Sequence, residues 1–302
     1  MHIPSKTPQC GLLVGTLLIL AACSTAPNSS SEPYAADPVT IDTAHPPALK
    51  ELHFDSAGQR LNGILYQANG PGPHPTVVLL HGFPGNEKNL DLAQALRRAG
   101  MNVLFFHYRG AWGSEGDFRF AHVIEDVGSA LTMLRSRATE LRVDPQNLLL
   151  IGHSMGGFAA LHGAARDANV RCTAGMAAGD MGAMATDADS ARARRFAAYA
   201  DTLQMLAGLD STAELADLSA NADRYALGSL APALGGKSVL LVAAEQDEAV
   251  PPEPVHRLMV AAYEANPAIE LTHRILPGDH SFSWTRGQLI RTVVTWADQC
   301  TQ

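Results

Sequence analysis

Leu148-Leu149-Leu150-Ile151-Gly152-His153-Ser154-Met155-Gly156-Gly157-Phe158 is the stretch that decides the fold. Four unbroken apolar residues, 148–151, read as a strand buried on both faces. Helical spacing begins straight afterwards, with Phe158, Leu161 and Ala165 sharing a side. Between the two, Gly152-x-Ser154-x-Gly156 must turn the chain sharply. The turn leaves little room around the serine backbone, so small residues are needed two positions either side. It lifts the hydroxyl above the sheet and sets it at a helix N-terminus, where developing negative charge is favoured. Ser154 is therefore the candidate nucleophile; the competing reading is a serine N-cap with incidental glycines.

Outward from this point the chain alternates strand and helix. Residues 51–54 and 61–66 read as two strands joined by a turn at 56–58. Residues 76–80, 101–106, 147–151, 170–176, 238–243 and 269–276 continue the series. Helical spacing fills the gaps at 90–99, 123–134 and after Ser154, and a last helix carries Leu289, Val293 and Trp296. Strands separated by helices imply right-handed crossovers. The expectation is an α/β fold: a mostly parallel sheet of about eight strands with helices on both faces. Residues 182–221 break the rhythm, being Ala-rich and helical in propensity. They are expected to form a small helical lid over the carboxyl ends of the strands, with an ordinary crossover helix as the alternative.

A serine hydroxyl is a weak nucleophile without a base. His280, in Pro277-Gly278-Asp279-His280, follows the last strand and precedes the last helix, so its loop opens at the same end of the sheet as Ser154. It is the candidate base. Asp247 follows the strand 238–243 and is the candidate partner that fixes the imidazole; Glu245, Glu248 and Asp279 are runners-up. The oxyanion donors are expected to be the backbone N–H of Met155 and that of Phe83, in the loop His81-Gly82-Phe83-Pro84-Gly85. Trp112, Phe118 and Phe282 are candidates for lining a substrate pocket, with plain core packing the alternative. His153 and His81 read as structural, His81 as placed to shape the oxyanion loop, and His107, His122, His162, His256 and His273 as surface or packing residues. Arg109 and Asp126 read as fixing loops.

The Gly-His-Ser-Met-Gly-Gly turn, the His-Gly-Phe-Pro-Gly loop and Tyr108-Arg109-Gly110 with Gly113-Ser114-Glu115-Gly116, together with the Asp247 loop and His280, resemble the α/β-hydrolase superfamily. The resemblance covers residues 50–300, and among the branches it is nearest to the dienelactone-hydrolase and prolyl-oligopeptidase-like group. It implies an α/β-hydrolase fold and a serine hydrolase. The chain departs from dienelactone hydrolases proper in having serine where they have cysteine, and it lacks the His-Gly-Gly-Gly loop of lipases. No β-propeller precedes the catalytic region, which favours esters over peptides. A small-molecule carboxylic ester, cleaved without metal or organic cofactor, is the expected substrate. A serine peptidase and a non-catalytic binding protein on the same fold remain the other two readings.

The chain has 302 residues, 46% of them hydrophobic and 17% charged, which suits one large globular domain. A net charge of −8 repels phosphate backbones, so a nucleic-acid partner is not expected. The first residues read differently. An apolar run at 11–22 is too short to span a membrane and ends in Leu20-Ala21-Ala22-Cys23. Residues 1–22 read as a signal peptide resembling that of bacterial lipoproteins, which implies lipidation of Cys23; a plain signal peptide is the alternative. Residues 23–48, rich in Ser, Ala, Pro and Thr, read as a flexible tether to a hydrolase domain at 49–302. The implied location is the bacterial cell envelope, lipid-anchored to the outer membrane. Cys172 and Cys300 are read as two buried free thiols, with a disulfide as the alternative.

Overall fold

The computed structural model describes residues 34–38, 40–185 and 190–302. Cys23 and the expected signal peptide lie outside the described residues. Pro33–Gln302 forms one compact unit. Part of the stretch expected to be a tether is docked on that unit. Tyr34 is buried, its carbonyl accepts a hydrogen bond from Arg98 Nε at 2.6 Å, and Asp42 N donates to Asn69 Oδ1 at 2.9 Å. The docking is possible because Arg98 and Asn69 present a donor and an acceptor where the segment passes.

The chain runs β1 (Ala48–Ser56), β2 (Gln59–Gln67), β3 (His74–Leu80), α1 (Leu90–Arg98), β4 (Asn102–Phe106), α2 (Phe120–Ser136), α3 (Ala138–Leu141), β5 (Val143–His153), α4 (Met155–Arg166) and β6 (Cys172–Met176). Four short helices follow, α5 (Met181–Ala185), α6 (Ala191–Ala200), α7 (Ser211–Ala220) and α8 (Ala222–Tyr225). The chain then closes with β7 (Ser238–Ala244), α9 (Arg257–Glu264), β8 (Glu270–Leu276) and α10 (Arg286–Thr301). The eight strands form one sheet in the order β1-β2-β4-β3-β5-β6-β7-β8. β1 and β2 are antiparallel to their neighbours; every pairing from β4 to β8 is parallel.

Alternation along the strands divides the core into two layers. Val77, Leu79, Val103, Phe105, Leu149 and Ile151 face the layer holding α1 and α10. Val78, Leu80, Leu104, Phe106, Leu148 and Leu150 face α2 and α4. Period-2 side chains on strands covered on both faces leave no polar side, which is why these segments read as continuous apolar runs. The helix α9 was not expected from sequence. Its signal is present, since Met259, Val260 and Tyr263 share a buried side, but prolines at 251, 252 and 254 mask its start.

Cys172 and Cys300 are joined in a disulfide, with Cα atoms 6.3 Å apart. The expectation of free thiols is thereby corrected. The amphipathic α10 lays its apolar side, Leu289, Val293 and Trp296, over the sheet, and the same packing carries Cys300 to the first residue of β6.

Candidate active site

Because β3 to β8 are parallel, their carboxyl ends open at one edge. Ser154 follows β5 there, the loop 81–89 follows β3, Asp247 follows β7 and His280 follows β8. Ser154 adopts φ 58° and ψ −120°, a strained conformation for a residue with a Cβ, costing on the order of 1–3 kcal/mol. The surroundings hold it there. Its N–H donates to the Met176 carbonyl at 2.9 Å, and its own carbonyl accepts from Phe158 and Gly179, each at 3.1 Å. The flanking glycines are required by contact. A Cβ on Gly152 would stand 1.9 Å from the Gly156 carbonyl oxygen, and one on Gly156 2.1 Å from that of Leu80.

Asp247 has a wholly buried side chain. One carboxylate oxygen, Oδ2, meets His280 Nδ1 at 2.7 Å; the other accepts from the N–H groups of Ala249 and Val250 at 2.8 and 2.7 Å. An acceptor at Nδ1 fixes the imidazole with its proton there, leaving Nε2 as a free base. The runners-up do not compete. Glu245 and Glu248 are exposed, and both oxygens of Asp279 are taken by Ser283.

His153 ties the turn to the base loop. Its Nε2 lies 2.7 Å from the His280 carbonyl, and the two rings are 4.7 Å apart. Since a carbonyl only accepts, Nε2 carries the proton. Burial pushes the His153 pKa down to about 3, with proximity to His280 a further cause, so the ring stays neutral. The Ser154 hydroxyl itself makes no hydrogen bond among the described residues. Bonds of this kind commonly tighten only when substrate is bound.

The loop after β3 presses on the serine. A Cβ on Gly82 would be 2.9 Å from Ser154 Cβ and 3.4 Å from its Oγ. The backbone N–H groups of Phe83 and Met155 donate to no group among the described residues. The Phe83 ring is half-buried against Phe118, Phe120 and Phe196, at 5.8, 5.9 and 5.3 Å. Phe196 belongs to α6, so helices of the segment 182–221 pack onto this loop. The connection between α6 and α7 is also tied to the loop after β4: Trp112 N donates to the Met205 carbonyl and Phe118 N to that of Ala207, both at 2.8 Å.

Of the three aromatic residues read as pocket candidates, Phe118 and Phe282 are fully buried, at 1% and 0% exposure. In this conformation they are packing residues: Phe118 supports Phe83, and Phe282 lies 6.3 Å from the His153 ring. Trp112 is half-buried, and its indole N–H donates to the Pro84 carbonyl at 2.8 Å. Arg109 and Asp126 do fix a loop. Arg109 Nε and N reach Asp126 at 2.6 and 2.8 Å, and Ser56 Oγ reaches the same carboxylate at 2.6 Å, locking the loop after β4 to α2 and β1.

The model of the alpha/beta hydrolase family matches residues 77–291. That span holds Ser154, Asp247, His280 and the loops after β3 and β4. The chain is an α/β hydrolase. The uncharacterized protein YfhR of Escherichia coli O157:H7 is 30% identical over 243 residues, covering 78% of this chain and 74% of its own. Among solved structures, Est1E from Butyrivibrio proteoclasticus superposes with a TM-score of 0.65 at 18% identity, over 83% of this chain and 98% of that one. The acylaminoacyl peptidase of Pyrococcus horikoshii gives a TM-score of 0.64 at 16% identity, over 83% of this chain and 41% of that one. At such identities the two structures attest the fold. In this α/β hydrolase the residue missed by the sequence reading is His107. Parallel pairing of Leu79 with Phe105 sets it beside His81, two residues further along, with His107 Nδ1 3.2 Å from His81 Nε2. A histidine at the end of each of two neighbouring strands was the available signal.

Proposed function

We propose that this α/β hydrolase cleaves small carboxylic esters in two steps through an acyl-enzyme on Ser154. The observation that carries the proposal is a strained serine at a strand end with a buried Asp247–His280 pair and two unengaged amides beside it. His280 Nε2 takes the hydroxyl proton as Ser154 Oγ attacks the carbonyl carbon. Asp247 stabilises the imidazolium, and the N–H groups of Phe83 and Met155 receive the oxyanion. The imidazolium then protonates the leaving alcohol, and water repeats the sequence on the acyl-enzyme. Esters are favoured over amides because an alkoxide leaves with less protonic assistance than an amine. We also propose an envelope location with Cys23 as lipid anchor, supported by the residues before Cys23 and by the Cys172–Cys300 bridge, which suits an oxidising compartment.

The test is p-nitrophenyl acetate turnover with a fluorophosphonate probe. Ser154→Ala should remove roughly three to six decades of kcat and abolish labelling. Retained turnover, or labelling elsewhere on the folded protein, would overturn the assignment. A matched anilide run beside the ester decides between esterase and amidase.

A further inference from the structure

The Phe83 amide needs an orientation as well as a position. In a trans peptide unit the C=O and the N–H point in opposite directions. The direction of the Phe83 N–H is therefore set by whatever holds the Gly82 carbonyl. That carbonyl lies 2.8 Å from His81 Nδ1. The contact is a hydrogen bond only if His81 carries its proton on Nδ1; with the proton on Nε2, a lone pair would face the oxygen. A neutral imidazole has one proton, and burial pushes the His81 pKa down to about 4, so at neutral pH the second is not supplied by protonation.

The Gly82 carbonyl can only accept, so the proton of neutral His81 is on Nδ1, and His107 faces the other ring nitrogen, its Nδ1 3.2 Å from His81 Nε2. With Nδ1–H of His81 engaged by Gly82, Nε2 of His81 can only accept, so His107 must donate. Three donors then point one way along a single chain: His107 Nδ1–H to His81 Nε2, His81 Nδ1–H to the Gly82 carbonyl, and Phe83 N–H outward from the far side of that peptide. Aligned hydrogen bonds polarise one another, so the last N–H is a stronger donor than an isolated amide. Two more side chains hold the same loop. Tyr108 OH donates to the His81 carbonyl at 3.1 Å, and Trp112 Nε1 donates to that of Pro84. The Trp112 ring stacks on His107 with centroids 5.8 Å apart.

We propose that His107 is a positioning residue for ester hydrolysis, fixing the tautomer of His81 and through it the direction of the Phe83 N–H toward the oxyanion. The proposal rests on the reading of Phe83 as an oxyanion donor. It assigns the oxyanion side of the site a counterpart to what Asp247 does for His280.

The experiment compares wild type, His107→Phe and His107→Asn, each checked for an unchanged circular dichroism spectrum. Phe keeps an aromatic ring and removes the donor; the Asn side-chain N–H falls close to the place of Nδ1. For p-nitrophenyl acetate, His107→Phe should lose roughly 10- to 100-fold in kcat with KM within about threefold, since the interaction matures only in the transition state. The inhibition constant of a trifluoromethyl ketone, which forms a tetrahedral adduct, should rise by the same factor. His107→Asn should recover to within about fivefold of wild type. An unchanged kcat in His107→Phe, or a His107→Asn no better than it, overturns the proposal. Nitrogen-15 shifts of His81 read the tautomer without turnover: a proton on Nδ1 in wild type that moves to Nε2 in His107→Phe supports the relay, and a tautomer indifferent to the substitution ends it. If wild type hydrolyses no ester, the function assignment fails and this spectroscopic arm still decides the relay.

Discussion

At the scale of single residues, the site is a set of groups each held by a neighbour. Asp247 shows how separable the jobs are. Its Oδ1 caps the loop through Ala249 and Val250, while Oδ2 alone addresses His280. Asp247→Asn keeps an oxygen for the cap and places an amide against the imidazole, inviting the wrong tautomer. We expect kcat to fall by roughly four decades while the thermal midpoint barely moves; steady-state kinetics beside calorimetry checks both. Ser154, Asp247 and His280 were legible as candidates because chain order and strand ends suffice to nominate them. His107 was not, because its contact with His81 arises from the register between β3 and β4, and a histidine at each of two strand ends becomes a pair only once those strands are known to be neighbours. Trp112, Phe118 and Phe282 were noticed for the right neighbourhood, yet burial, which the sequence does not carry, sets what each does.

At the scale of elements, the strands were legible because a sheet covered on both faces imposes uninterrupted apolar runs. The short, proline-flanked α9 and the docking of residues 34–38 and 40–47 depend on partners distant in the chain, so neither stood out. The bridge between β6 and α10 belongs with these. Two cysteines are indistinguishable from two buried thiols until the packing of α10 is known. A cross-link spanning 128 residues removes much freedom from the unfolded chain. Cys172→Ser, or full reduction, should lower the unfolding free energy by about 3–5 kcal/mol. Urea denaturation with and without reductant measures it, and coincident curves would refute the expectation.

At the scale of the whole molecule, the interior holds several histidines in neutral form. Burial lowers His81 and His162 to about 4 and His153 to about 3; His256 is lowered to about 4 by the same cause. In the unfolded chain each would bind a proton near its ordinary value of about 6.5. Below that value the unfolded state takes up protons that the folded state refuses, so stability falls with falling pH until the folded values are reached. The slope approaches about 1.4 kcal/mol per pH unit for each fully buried group. We expect the thermal midpoint to drop steeply between about pH 6 and 4, and differential scanning calorimetry across that window tests it. A midpoint flat to pH 4 would mean that these rings accept protons in place.

The bond between Cys172 and Cys300 also carries a clock. Synthesis delivers the first thiol long before the second, and 128 residues must follow it before a partner exists. By then β7, β8 and their connections have already emerged. The cross-link can therefore close only after every strand of the sheet has been made, and a chain broken off before α10 would leave Cys172 without its partner, open to whatever oxidant or thiol it meets.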